Sequence, residues 1–507
     1  MAIVNRRQFV GSLAMSAAGV AAGRALAASD SRSPNEKLNV AVIGCGGRGA
    51  GNLAGVAGEN IVALCDVDQN RAAAAFAKFP RAKKYSDFRK MFDQLQHQID
   101  AVVVSTPDHT HAPATAMALK MDKHCYCEKP LAHSVYESRV VAELAANRNV
   151  ATQIGTQMHA TDNYHRTVEL VTCGAIGKVG EVHVWCGKDR SAKPRSQDPQ
   201  TVPAHLDWDL WLGPAPYRPY DPCYVPGQWR WWWAFANGLL GDMGCHYMDL
   251  PFWALQLRHP TSVEAEGPAV HPETSPRLLT VRYQFPARDN LPPVDLTWYH
   301  GPVPPAVLRK KNLPIWKRGG SGPVSGVLFV GSEGMLMADF NRRKLFPESK
   351  FADFQPPEPT IPDSPGHHQE WITACKTGGP TTCNFDYSGA LTEAVLLGNI
   401  AFRTGKRLQW DPANLRVPNC PEADKFLRRE YRDAWTLYSS RRVFHLLRAN
   451  GHASKRLCGK EEIETMRKKA QVLNLAVLLT LASYADAETG SSRQPVRVEN
   501  LELGSLT

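Results

Sequence analysis

The sequence predicts an α/β protein: a doubly wound α/β domain followed by an α+β domain. Three observations predict it. Short apolar runs alternate with helical stretches between residues 38 and 154. A glycine-rich loop, Gly44-Cys45-Gly46-Gly47-Arg48-Gly49, closes the first of those runs. After about residue 157 the strand-like runs follow one another, most of them with no helix between. Strands alternating with helices give a parallel sheet covered on both faces. Strands joined directly pair antiparallel.

In chain order, Leu-Asn-Val-Ala-Val-Ile at 38–43 reads as a buried parallel strand. Residues 50–58 suit a short helix, 61–65 the next strand ending at Asp66, and 69–79 an Ala-rich helix. A third strand fits 101–105, a helix 112–120, a fourth strand 124–127, a helix 135–147 and a last strand 150–154. Beyond them 182–188 alternates, a Pro-, Trp- and Arg-rich stretch covers 190–235, and a helix fits 241–257. Strands are expected at 262–266, 278–285, 294–300, 326–331 and 334–339, and helices at 366–377 and 388–404. The resulting division is a signal at 1–28, a Rossmann domain at 35–157, an α+β domain at 158–437 and an atypical tail at 438–507.

The chain has 507 residues with ordinary apolar and charged content, enough for two or three domains. Its net charge of +10 is concentrated at the ends, because residues 1–28 hold three Arg and no acid and 438–507 hold eleven Lys+Arg against seven Asp+Glu. The near-balanced body carries no nucleic-acid footprint. Asn5-Arg6-Arg7-Gln8-Phe9-Val10 resembles a twin-arginine motif, followed by a short Ala/Gly-rich run and the small-x-small site Ala25-Leu26-Ala27. Export to the periplasm is the expectation, and the run is too short for a stable membrane span. In the tail, Met466-Arg467-Lys468-Lys469 precedes the apolar run 472–482, which reads as a second secretory signal or as an amphipathic surface helix. Twelve Cys in an exported chain raise the question of disulfides, but several sit in apolar strand-like or helical runs, so buried thiols are expected. No spacing suits zinc, and no metal is expected.

Gly44-x-Gly46-x-x-Gly49 follows a strand and opens a helix, where glycines allow a tight turn and close approach to a pyrophosphate. Gly47 and Arg48 lie in the same loop. Asp66, at the end of the next strand, stands where an acid holds the ribose hydroxyls. Its carboxylate favours NAD over NADP, and Arg71 keeps NADP open. Thr106, Pro107, His109 and His111 close the third strand at the mouth of the sheet, as cofactor contacts or as a plain helix-starting loop. Glu128 and Lys129 close the fourth strand. Lys129 can hydrogen-bond a substrate hydroxyl and relay its proton, and it equally fits a surface lysine before a turn proline. Asp242 and His246 are four apart on one helical face, as a catalytic pair or as a helix-starting ion pair. The tryptophans at 208, 211, 229, 231, 232 and 233 fit either a sugar-stacking platform, with Trp232 as substrate contact, or core packing. Gln157, His159, Tyr164 and Arg166 are further residues that can reach the cleft.

At these residues the chain resembles the Gfo/Idh/MocA oxidoreductases, named for glucose–fructose oxidoreductase and inositol dehydrogenase. The matching segments are VIGCGGRG (42–49), ALCDVD (63–68), STPDHTH (105–111), CEKPLA (127–132) and DMGCHYMD (242–249). The resemblance implies that Lys129 is the catalytic lysine, that Asp242 and His246 are the substrate-binding and catalytic pair, and that Pro130 lies near the nicotinamide, while Glu128 is a further candidate cofactor contact. It also implies a mixed, largely antiparallel open sheet in the second domain, often used for oligomerisation, so that a homo-oligomer is expected. The tail and the tryptophan-rich insertion depart from the family pattern, so substrate identity does not transfer. The expected activity is NAD(P)-dependent oxidation of a secondary hydroxyl on a sugar, glycoside or cyclitol. The alternatives are a redox-neutral glycosidase that holds NAD through an oxidation–elimination–reduction cycle, and a non-catalytic nucleotide-binding scaffold.

Overall fold

A computed structural model describes residues 36–316 and 325–437. The signal and tail readings lie outside those residues. The first sheet contains β1 (Asn39–Ile43), β2 (Asn60–Cys65), β3 (Lys83–Tyr85), β4 (Ala101–Val104), β5 (His124–Cys127) and β6 (Thr152–Ile154). Its order is β3-β2-β1-β4-β5-β6, and every pair is parallel. The order reverses between β1 and β4, which opens a crevice at the carboxyl ends of those strands. The runs that read as uninterrupted apolar in sequence are the central ones: Val40–Ile43 and Ala101–Val104 are buried throughout.

The second sheet has eight strands: β7 (Val179–Cys186), β8 (Ser262–Glu266), β9 (Leu279–Phe285), β10 (Val294–His300), β11 (Ser325–Gly331), β12 (Met335–Ala338), β13 (Arg343–Phe346) and β14 (Leu408–Gln409). Their order is β13-β12-β11-β7-β10-β9-β8-β14. All neighbours are antiparallel except β7 and β10, so the sheet is mixed and largely antiparallel. One face packs on the Phe385–Thr404 helix, whose residues Leu391, Ala394, Val395 and Leu397 are nearly inaccessible.

Several boundaries differ from the sequence reading for identifiable reasons. The helix expected from 112 begins at Asp108, so STPDHTH contributes its first turns and Pro113 lies inside it. The helix expected over 241–257 is two, Gly238–Tyr247 and Asp249–Ala254. Strands β3, β13 and β14 are two to four residues long and carry little apolar signal. The His367–Thr377 helix returns to the first sheet although the sequence division assigns it to 158–437. Its Trp371, Ile372 and Cys375 join the core formed by Val40, Val42, Leu64 and Tyr126. Cys65, Cys125, Cys186 and Cys245 are buried thiols. Among the described residues no helix is long and apolar enough to cross a membrane.

Trp371 is fully buried, meets Tyr126 edge-on, and donates its indole N–H to the Ala151 carbonyl at 3.2 Å. Trp371→Ala therefore removes part of the first domain's core from a distant part of the chain. A loss of about 3–5 kcal/mol is expected in denaturant unfolding. A loss below about 1 kcal/mol would mean that the helix merely rests on the surface.

Candidate active site

A cleft of about 590 Å³ opens at the crevice between β1 and β4 and is closed on its far side by residues of the second domain. Its cofactor end is built by the glycine loop. Gly44 adopts φ +84°, and a Cβ there would meet the Ser105 carbonyl oxygen at 2.7 Å. Gly47 adopts φ +55°, a left-handed conformation that side chains disfavour. A Cβ on Gly49 would collide with the Gly44 carbonyl, so Gly49 lets the helix start against the loop. The Arg48–Gly55 helix has no side-chain cap, and its N-terminus is suited to phosphate oxygens. Thr106 Oγ1 lines the same space, buried and without a hydrogen-bond partner. Asp66 accepts from the backbone N–H groups of Cys45 (2.7 Å) and Asp68 (3.0 Å), which ties the acid to the loop it serves. Burial raises its pKa despite those bonds, and a carboxylate retains acceptor capacity for two ribose hydroxyls. These residues fit a dinucleotide.

Glu128 links that end to the chemistry. Its Oε1 accepts from Arg48 Nε (3.1 Å), Asn52 Nδ2 (3.0 Å) and Gln157 Nε2 (3.0 Å). Burial would raise its pKa, but Lys129 and Arg48 outweigh burial and keep it ionised. Gly155 is needed beside it, since a Cβ there would lie 2.6 Å from the carboxyl group. His111 braces the neighbouring turns. Its ring nitrogens lie 2.7 Å from the Pro130 carbonyl oxygen and 2.8 Å from that of Thr106.

At the other end Lys129 Nζ donates to Asp242 Oδ1 at 2.9 Å and to the Asp242 carbonyl oxygen at 2.6 Å. Arg230 Nε donates to the same Oδ1 at 3.2 Å. Burial works against the Asp242 carboxylate, yet Lys129 and Arg230 hold it far below the usual range. The lysine is held charged in return, with Asp242 and Glu128 overcoming its desolvation. His246, on the same face as Asp242, is pushed down to about 3 by burial and then by Lys129, so its imidazole is neutral at working pH. Its Nδ1 has no hydrogen-bond partner, and its carbonyl accepts from Tyr164 Oη at 3.0 Å. The Asp242 carboxylate thus grips Lys129 and Arg230 rather than His246.

The structure brings Gly44, Gly46, Gly47, Arg48, Asp66, Thr106, Pro107, His111, Glu128, Lys129, Gln157, Asp242 and His246 onto one cleft. Other residues singled out in sequence stand off it. His109 is buried against Trp211 and Phe235, with Nε2 2.9 Å from the Trp211 carbonyl oxygen. Gly49 and Pro130 act from behind, through the helix start and through His111. Tyr164 is 1% exposed and supports the His246 helix. Arg166 is turned away into ion pairs with Asp162 and Glu169. His159 is buried with Asp249 and stacked on Trp253 at 4.0 Å. Trp232, expected as a substrate contact, meets Tyr224 edge-on inside an aromatic cluster and stands off the cleft. Trp211 and Trp229 do reach the wall, but each is only 7% exposed, so neither presents an open face for a sugar ring. The tryptophan run packs mainly as core.

Among the cleft residues that escaped the sequence reading are the charged Asp108, Lys188 and Arg230. Asp108 stood inside STPDHTH, where its neighbours drew the attention. It heads its helix, 6% exposed, and burial pushes its carboxyl up to about 7 against the pull of Lys129 and Arg230.

Residues 38–156 match the profile of the oxidoreductase family's NAD-binding Rossmann fold (GFO_IDH_MocA), and residues 170–288 match that of its C-terminal alpha/beta domain. These two regions are Gfo/Idh/MocA domains. Among curated relatives, the chain is 36% identical over 153 residues to inositol 2-dehydrogenase of Rubrobacter xylanophilus, covering 29% of the chain and 43% of the relative. It is 28% identical over 203 residues to inositol 2-dehydrogenase of Salmonella typhimurium, covering 38% of the chain and 59% of the relative. The matched part is thus less than two thirds of either relative. Two solved structures share its fold. GenD2 from gentamicin A biosynthesis, in complex with NAD, is 20% identical with a TM-score of 0.52, over 74% of the chain and 97% of its own. The WlbA dehydrogenase from Bordetella pertussis, in complex with NADH and UDP-GlcNAcA, is 15% identical with a TM-score of 0.52, over 74% of the chain and 99% of its own.

Asp108 gives a signed pH prediction. Its folded-state pKa of about 7 lies above the ordinary 3.8, so its contribution to stability is full below the ordinary value and lost as pH rises through the folded one. Asp108→Asn removes that loss. Melting curves should show the variant gaining on the parent protein between about pH 4 and pH 8. A difference independent of pH would mean that Asp108 is ionised in the folded protein throughout.

Proposed function

We propose that the protein is an NAD-dependent oxidoreductase that oxidises a secondary hydroxyl of a sugar or cyclitol. One observation carries the reading: the charged Lys129–Asp242 pair stands beside neutral His246 in the same cleft as the glycine loop. The curated relatives named inositol 2-dehydrogenase support the substrate class. NAD, when bound, supplies the hydride acceptor.

The chain's own residues do the rest. Thr106, Asp66 and the loop N–H groups hold the dinucleotide. Lys129 is kept protonated by Asp242, so it donates a hydrogen bond to the substrate oxygen and is not the base while paired. His246 has an unprotonated ring and accepts the hydroxyl proton. The imidazolium so formed is favoured by Glu128 and Asp242, which oppose the depressing effects of burial and Lys129. Arg230 fixes the Asp242 carboxylate and thereby the lysine.

Lys129→Ala and His246→Ala are each expected to lower kcat by about 10²- to 10⁴-fold while nucleotide binding, followed by fluorescence titration, stays near that of the parent protein. Near-normal turnover in both variants would overturn the assignment.

We further propose export through the Arg6-Arg7 signal, with the mature chain starting near residue 28. Cell fractionation with N-terminal sequencing tests this. Lys at both arginines should retain the protein, uncleaved, in the cytoplasm, and equal processing of variant and parent would rule the signal out.

A further inference from the structure

The substrate half of the cleft carries more positive than negative charge. Lys129, Lys188 and Arg230 face it, and the acids there are Asp242 and Asp108. Glu128 also lines the cleft, but its Oε1 takes Arg48, Asn52 and Gln157. Asp242 Oδ1 is shared by Lys129 and Arg230, so one carboxylate already serves two cations.

Lys188 is left with little. It lies two residues beyond β7, half-buried, across from the helix that carries Asp242 and His246. Its Nζ donates to the thioether Sδ of Met243, at 2.9 Å. A thioether is a weak acceptor and carries no charge. The next residue, Asp189, is engaged by Arg277 instead. Among the described residues no carboxylate forms an ion pair with Lys188. Lys188 helps to hold the Asp242 carboxylate low, but that carboxylate already serves Lys129 and Arg230 at contact distance, so a ligand in the cleft can supply the close anionic partner that Lys188 lacks.

We propose that the substrate is an anionic saccharide, bearing a carboxylate or a phosphate ester, and that Lys188 is the residue that receives the anionic group. The proposal rests on the oxidoreductase reading and narrows its substrate class. A charge-assisted hydrogen bond from Lys188 replaces the thioether contact. The anion also balances the surplus charge, and the positive cleft draws such substrates in, an effect that weakens as salt rises. Lys188 thereby sets specificity, while Lys129 and His246 meet the reacting hydroxyl.

The test uses the full-length protein with NAD and three probes of related shape: methyl glucoside, glucuronate and glucose 6-phosphate. The anionic probes should show the higher kcat/KM, the advantage shrinking with added salt. Lys188→Met should lower kcat/KM for the preferred anion by on the order of tenfold to a hundredfold more than for methyl glucoside, mainly through KM. Lys188→Arg should restore much of the preference. Calorimetric binding of the preferred anion should weaken in the Met variant in parallel. Glucuronate and glucose 6-phosphate distinguish a carboxylate from a phosphate ester. Equal or better turnover of methyl glucoside by the parent protein, or an unchanged preference in Lys188→Met, would overturn this inference and leave the oxidoreductase reading standing. No nucleotide reduction with any saccharide would overturn both.

Discussion

The ion pair between Lys129 and Asp242 joins the two domains at the point where chemistry is proposed. Lys129 follows the last residues of β5 in the first sheet, and Asp242 sits on a helix of the second domain. Both side chains are largely buried, 12% and 15% exposed. Each charge is sustained by the other, because either one alone would be costly to desolvate. That mutual dependence fixes the lysine's protonation, the spacing of the domains at the cleft and the position of the His246 face. Arg230 adds a second cation to the same carboxylate, so the motif is a triad centred on Asp242.

A second knot of hydrogen bonds, centred on Glu128, does the corresponding job for the cofactor end. Arg48 and Asn52 reach it from the helix after the glycine loop, and Gln157 reaches it from beyond β6. Asn52 Nδ2 also donates to Ser105 Oγ at 2.9 Å, which brings in the end of β4. The two adjacent residues Glu128 and Lys129 therefore face opposite tasks, one gathering the nucleotide loop and the other the second domain. Gly155 is the small residue that makes room for the first of them.

What could be read in the sequence follows from what is local. The glycine loop and Asp66 were legible because tight turns and strand ends impose residue types over a few positions. The shared face of Asp242 and His246 was legible from helical spacing. The partner of Asp242 was not, since Lys129 is 113 residues away and either residue also fits a solvated surface. The tryptophan run was legible as a cluster but not as an interior one, because the faces that would stack on a sugar are covered by Tyr224, Phe235 and one another. Lys188 follows a strand in an ordinary polar sequence, and only its setting, where the Asp242 carboxylate within its reach is already taken by Lys129 and Arg230, makes it notable.

The return of the chain to the first sheet has a mechanical side. After leaving β6 the polypeptide builds the second domain and comes back, and residues 381–385 are laid along β6. Ile154 N–H donates to the Cys383 carbonyl at 3.1 Å, and Phe385 N–H to Thr152 Oγ1 at 3.1 Å. The outer edge of the parallel sheet is thus covered by the protein's own chain. The chain then leaves again in the Phe385–Thr404 helix, whose residues join the second domain's core, so it crosses between the domains three times. A wide hinge at the cleft would have to bend all three crossings together, which resists it.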